Sequence, residues 1–261
     1  MKRRLFLAST ASAAVLSANA NRPNILLVTA DDLGLYLGCY GEQRIATPHL
    51  DRFAKTGVQF TTACVAQASC SPSRSAMFTG LMPHTNGQYG LANAGFTLHE
   101  QYRAATIPAL MKAAGYRTGI LGKLHVEPES SFPWDLMDKN NAATRRVRTV
   151  APKASDFMSG SDPFFLMVNY SDPHAFRRAD DRNAWYFPPE VDGIPENPIL
   201  ASAATLFTWQ GVDTPQQRER TANYLNAVSR LDTGMGLLLG ALNKSGKADN
   251  TLVIFCGDHG A

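Results

Sequence analysis

The chain alternates between short, densely apolar runs and longer stretches whose apolar positions recur every three or four residues. Residues 24–30 form a largely apolar run that ends in Asp31-Asp32, the pattern of a strand buried on both faces that presents two carboxylates at its carboxyl edge. Residues 116–121, 163–170 and 251–256 predict further buried strands, leading into Gly122-Lys123-Leu124-His125, Ser171-Asp172-Pro173-His174 and Gly257-Asp258-His259. Residues 58–66 alternate loosely and predict a strand or extended segment. Thr47-Pro48 opens a short helix with Leu50, Phe53 and Ala54 on one face and Gly57 as its stop. Residues 72–78 suit a short helix closed by Thr79-Gly80, and residues 106–115 carry a threonine cap, an early proline and a terminal glycine. Thr214-Pro215 opens the longest helix, where Leu225, Val228, Leu231, Met235, Leu238 and Leu242 define a buried stripe. Residues 177–210, rich in proline, tryptophan and acidic groups, read as a surface excursion.

Strands alternating with helices imply the α/β class, with a mainly parallel central sheet and helices on both faces. No internal repeat is visible. Polar residues follow each apolar run: Asp31-Asp32, Lys123 with His125, His174, and Asp258-His259. In open α/β sheets the ligand site lies outside the carboxyl ends of the strands, so these four sets together predict one site.

Composition narrows the picture. With 261 residues, 44% hydrophobic and 18% charged, the chain can bury a sizeable core, and no apolar run approaches the about 20 residues of a membrane span. The net charge of +3 is located in Lys2, Arg3 and Arg4; without these three the 25 basic residues become 22, against 22 acidic ones. That balance excludes the basic stripe of a nucleic-acid-binding surface. Lys2-Arg3-Arg4-Leu5-Phe6-Leu7, a mild apolar stretch and Ala18-Asn19-Ala20 read as an export signal over 1–20, of the twin-arginine type, which predicts a bacterial periplasmic or secreted protein and dependence on an export machinery. Four cysteines, Cys39, Cys64, Cys70 and Cys256, are too few for a disulfide scaffold of this length.

One segment carries the chemistry. Cys70-Ser71-Pro72-Ser73-Arg74, continued by Ser75-Ala-Met-Phe-Thr79-Gly80, resembles the signature of the sulfatase family, Cys-x-Pro-x-Arg followed by Thr-Gly. Ala46-Thr-Pro-His-Leu-Asp51, Tyr89-Gly-Leu91, the stretch from Gly122 to Glu129 and Asp172-Pro-His174 follow in the family's order and approximate spacing. The Lys123-x-His125-Val-x-Pro-Glu129 wording and the Cys70 core resemble the sulfamidase-like branch and its bacterial relatives most closely.

The resemblance implies an alkaline-phosphatase-like sulfatase fold and a hydrolase that removes sulfate from a sulfated carbohydrate, as an ester or a sulfamate. It implies that a formylglycine-generating enzyme oxidises Cys70 to formylglycine, whose gem-diol is the nucleophile. Asp31, Asp32, Cys70, Asp258 and His259 match the metal position, normally Ca²⁺, and three carboxylates suit a hard cation. His259 departs from the asparagine that many members carry, although others have Asp-His there. Arg74 would hold the formylglycine, Lys123 would bind a sulfate oxygen, and His125 would contact the diol. His174 would sit on the leaving-group side and help protonate the departing amine or alcohol. His49, His84 and His99 have no matching motif and receive no catalytic role.

Against the family, 261 residues correspond to the first part of the catalytic domain, 21–261, with the C-terminal subdomain absent. Two other readings stay open: an inactive fragment, and a phosphoryl-transfer hydrolase of the wider superfamily.

Overall fold

The computed structural model describes residues 22–177 and 185–260; the predicted export signal over 1–20 lies outside them. The strands are β1 (Asn24–Asp31), β2 (Arg117–Gly122), β3 (Leu136–Asp138), β4 (Phe164–Pro173), β5 (Phe176–Arg177), β6 (Trp185–Tyr186) and β7 (Thr251–Gly257). The helices are α1 (Pro48–Lys55), α2 (Cys70–Thr79), α3 (Pro83–Asn86), α4 (Ile107–Ala113), α5 (Asn141–Arg145), α6 (Val150–Met158) and α7 (Pro215–Lys244). Among the described residues the central sheet is wholly parallel, in the order β3-β2-β4-β1-β7, and β5 with β6 forms a separate antiparallel ribbon.

This order explains the uninterrupted apolar runs of the inner strands; β7, at the edge, is not the buried strand that its run predicts, since Leu252 is 53% and Ile254 41% exposed. β4 lies between β1 and β2 with every residue buried, so neither of its faces needs polar side chains. On one face Leu26, Val28, Leu166 and Val168 pack against Ala154 and Met158 of α6 and against Leu225, Val228, Leu231, Met235 and Leu238 of α7. On the other face Leu27, Ile120, Phe165 and Met167 meet Phe78 of α2 and Leu124 and Phe132, with Ile107 and Met111 of α4 at the margin. Each such leucine or phenylalanine contributes about 1.5–3 kcal/mol by leaving water. The predicted parallel α/β architecture, with helices on both faces, is the one observed.

The stripe on α7 faces the sheet as its spacing requires, and the Thr214 side chain accepts from Gln217 N at 3.2 Å to close its start. Asp232 of α7 also accepts from Leu50 N at 2.8 Å and from His49 N at 3.3 Å, so a distant helix satisfies the first turn of α1. Thr47 is thereby free to bond Asp51 at 3.0 Å while accepting from Gly38 N at 2.8 Å. Asp51 in turn accepts from Cys39 N at 2.7 Å. The Thr47-Pro-His-Leu-Asp51 motif thus buttresses the turn that follows β1.

Several expectations need correction. Residues 58–66 form no strand: the backbone from 56 to 68 is irregular and exposed, with Val58 83% and Phe60 68% accessible. Alternation marks a strand only where a neighbouring edge and a surface to cover exist, and the described residues offer neither to this stretch. The helix predicted from Pro72 begins two residues earlier, at Cys70. The stretch 185–210 is more than a surface excursion, because Ile194, Ala204 and Phe207 are buried, the first and last of them in the core against α7; 178–184 lie outside the described residues. β3, α5 and α6 have patterns too short or too mixed to read in advance. All four cysteines are free thiols.

Candidate active site

The carboxyl ends of β1, β2, β4 and β7 and the first turn of α2 converge, and every residue singled out from the sequence comes from these places. Asp31 closes β1 and Asp32 follows it; Lys123 and His125 follow β2; His174 follows β4; Asp258 and His259 follow β7; Cys70 and Arg74 lie one turn apart on α2. Asp32 (φ 61°) and His125 (φ 54°) both occupy the left-handed region, which a non-glycine residue adopts only where its surroundings hold it there. Gly122 (φ 96°) makes the turn into Lys123, and an added Cβ would lie 2.3 Å from the Asn169 carbonyl oxygen.

Arg74 ties these ends together. It is fully buried, and its Nε and Nη2 contact Asp258 Oδ2 at 3.1 and 3.0 Å, while Nη2 stands 3.5 Å from Asp31 Oδ1. Its Nη1 donates to the Lys123 carbonyl at 3.1 Å and to Asn169 Oδ1 at 3.2 Å. Lys123 Nζ pairs with Asp31 Oδ2 at 2.7 Å. Burial pushes the Asp31 carboxyl up, but Arg74 and Lys123 reverse this and hold it far below the usual carboxylate range. Asp258 is pushed the other way, by burial and by the adjoining Asp31 carboxylate, against the pull of Arg74. Its Oδ1 accepts from Asp32 N at 3.1 Å and from His259 N at 2.9 Å.

Asp31, Asp32, Cys70 and His259 each offer a donor atom, and all four atoms lie within 4.8 Å of one another. The Cys70 sulfur is 3.3 Å from His259 Nε2 and 3.7 Å from Asp31 Oδ1. Burial pushes its thiol up, but hydrogen bonds from His125, His174 and His259 prevail and bring it down to about 4. His259 is pushed up to about 9, first by Cys70 and, against the cost of burial, by Asp258. His174 Nε2 stands 3.6 Å from Asp32 Oδ2; burial depresses this imidazole, but Cys70, Asp31 and Asp32 raise it above its ordinary value.

This donor set can hold a divalent cation. Asp32 Oδ1 is buried without a hydrogen bond, 3.1 Å from His259 Nε2. His259 Nδ1 faces the Gly260 carbonyl at 2.7 Å, and a proton held there leaves the Nε2 lone pair directed at the same point. Burial raises the Asp32 carboxyl against the pull of His174, as crowding with Asp31 and Cys70 also does. Neighbouring carboxylates so crowded are stabilised by a cation placed between them. Asp258 stands behind this group, with its oxygens committed to Arg74 and to backbone N–H groups.

The sulfatase family model matches residues 23–261. The chain belongs to the sulfatase family. It is 35% identical to human N-sulphoglucosamine sulphohydrolase, over 94% of this chain and 52% of that protein. It is 31% identical to an ulvan-active sulfatase of Formosa agariphila, over 94% of this chain and 46% of that one. A protein solved in complex with its substrate D-glucosamine-2-N,6-O-disulfate shares the fold, with a TM-score of 0.66 and 22% identity, over 92% of this chain and 66% of that one. The chain spans about half the length of these curated relatives.

Within this sulfatase the structure adds residues that sequence reading missed. Asn169 is buried inside β4, accepts from Arg74 and from the Thr29 hydroxyl, and leaves its own Nδ2 without a partner among the described residues. Its signal was present: an amide in an otherwise apolar strand run is costly unless bonded. Ser71 accepts from Ala92 N at 3.0 Å, fastening the 89–92 stretch to α2 beside Cys70. His49, by contrast, pairs with Arg52 at 2.9 Å on α1, outside this cluster.

Proposed function

We propose that this sulfatase hydrolyses a sulfate ester or sulfamate on a saccharide, with Cys70, once oxidised to formylglycine, as nucleophile. The observation that carries the reading is the meeting of Cys70 with Asp31, Asp32 and His259 within 4.8 Å, against the buried Arg74 guanidinium. Formylglycine supplies a hydrated aldehyde, one of whose oxygens can attack sulfur. A bound Ca²⁺ would supply positive charge that offsets the negative charge of the sulfate. Asp31, Asp32, His259 and the Cys70 position would hold it, with Asp258 completing the set or orienting it through Arg74 and backbone contacts.

The chain's own residues then divide the work. Arg74 holds the base of the nucleophile and the two flanking carboxylates in register. Lys123 lies against Asp31 and can turn its ammonium toward a sulfate oxygen as negative charge develops. His125 contacts Cys70 and can take the diol proton. His174, raised toward the protonated form, can donate to the departing nitrogen or oxygen. Similarity to a protein that acts on N-sulphoglucosamine supports a sulfated amino sugar as substrate. Residues 1–20 would direct export to the periplasm or beyond, where such substrates are met.

Mass spectrometry of the Cys70 peptide, with sulfate release from N-sulfated and O-sulfated glucosamine, tests the proposal. The expected result is formylglycine at position 70 and release from one of the two. An unmodified thiol in a preparation that releases sulfate overturns the nucleophile, and no release from a converted preparation overturns the reaction.

A further inference from the structure

Asp172, at the end of β4 and two residues before His174, is fully buried between two arginines. Arg230 of α7, itself fully buried, contacts both carboxylate oxygens, Nε to Oδ2 at 2.8 Å and Nη2 to Oδ1 at 3.1 Å. That fork already neutralises the carboxylate and satisfies its geometry. Arg145 of α5 adds a third bond, Nη1 to Oδ1 at 2.7 Å, so two guanidinium groups share one carboxylate. Burying a second cation costs free energy that Asp172 does not require, and burial and the neighbouring Arg230 charge do lower the affinity of Arg145 for its proton.

The surplus is explained by what else Arg145 holds. Nη1 and Nη2 both donate to the main-chain carbonyl of His174, at 3.1 and 3.0 Å. Its guanidinium also lies 4.4 Å from the ring centre of Phe176, the second residue beyond His174. One side chain therefore holds the carboxylate two residues before the histidine, the histidine's own carbonyl and the ring two residues after it. From there the imidazole reaches Cys70 and Asp32.

We propose that Arg145 is a positioning residue for His174: it fixes the main chain of that histidine so that the imidazole stays aimed at the leaving-group side of Cys70. Arg230 neutralises Asp172, and Arg145 uses Asp172 as its own anchor. This rests on the reading of His174 as the proton donor, and the test separates the two.

In the full chain with Cys70 converted, Arg145→Gln is expected to lower kcat about 100-fold on an N-sulfated sugar, whose leaving group needs a proton. KM stays unchanged, and an activated aryl sulfate is hydrolysed almost as before. The double variant Arg145→Gln/His174→Ala is no slower than His174→Ala alone, because both act through one group. Arg145→Lys, which keeps the charge and one donor, falls between. Equal losses on both substrates, or losses that multiply in the double variant, overturn the proposal. If His174→Ala is indifferent to the leaving group, the proton-donor reading fails instead. Positioning is then read without turnover: ¹H–¹³C spectra of histidine-labelled protein show the His174 ring signal broadened in Arg145→Gln and unchanged in Arg230→Gln. An unaltered His174 signal in a folded Arg145→Gln or Arg145→Lys variant overturns it.

Discussion

His259 Nε2 lies 3.3 Å from the Cys70 sulfur, across 189 positions of sequence. The pair joins the start of α2 to the end of β7, and the same nitrogen is 3.1 Å from Asp32. His259 Nε2 thus stands between the Cys70 sulfur and the Asp32 carboxylate, where a divalent cation would draw on all three.

Calcium should therefore stabilise the chain. At roughly 100 times its Kd it is expected to raise the unfolding free energy by about 2.7 kcal/mol. Urea denaturation with and without a chelator measures this, and Asp32→Asn should remove most of the gain. A chain indifferent to calcium would show that these donors do not form the cation site.

The unconverted Cys70 thiol should react as a thiolate well into the acid range. Its folded value of about 4 is depressed from an ordinary value near 9, so its stabilisation is complete above 9 and lost as pH falls toward 4. His259, raised from 6.5 to about 9, contributes below 6.5 and loses its contribution as pH rises through 9. The two oppose each other between 6.5 and 9, and below that window the Cys70 loss stands alone. Alkylation by iodoacetamide, followed by peptide mass, should be nearly flat from pH 8 to 5, where an ordinary thiol of pKa about 8.5 slows tenfold per unit. A tenfold fall per unit at Cys70 would contradict the three imidazole contacts.

Arg74→Ala should be severely destabilising. It strands Asp258 in the interior and leaves Asp31 with Lys123 alone, a change that costs about 3–5 kcal/mol when one partner of a buried pair is removed. The urea midpoint should fall with an unchanged slope, as for a pure loss of native stability. A loss under about 1 kcal/mol would mean that water reaches these carboxylates.

Two glycines should respond oppositely to alanine. Gly122→Ala meets the Asn169 carbonyl at 2.3 Å in a left-handed turn and is expected to cost about 1–3 kcal/mol, with displacement of Lys123 and His125. Gly240→Ala on α7 meets nothing within 4 Å and should stabilise by about 0.5–1 kcal/mol. Thermal unfolding of the two variants decides whether Gly122 is there for its backbone.

Much of this was legible in the chain itself. The apolar runs of β1, β2 and β4 are buried on both faces, so they read as strands without further information; the run of β7 reads the same way although it lies at the sheet edge with Leu252 and Ile254 exposed, and the polar residues after all four read as one site. The stripe of α7 was equally plain, because 30 residues hold many turns of one period. Residues 58–66 misled for the converse reason: local alternation says nothing about whether a partner edge exists.

By itself the sequence determined the strand–helix alternation, the Cys70 motif and the identity of the polar groups beyond each strand. Tertiary structure alone decided which of them touch. The order β2-β4-β1-β7 brings His259 to Asp32, lays Asn169 against Arg74 and sets Arg145 on the carbonyl of His174. Periodicity is a property of neighbouring residues, whereas these contacts depend on strand order and register, which are settled only when the two faces of the sheet are buried together.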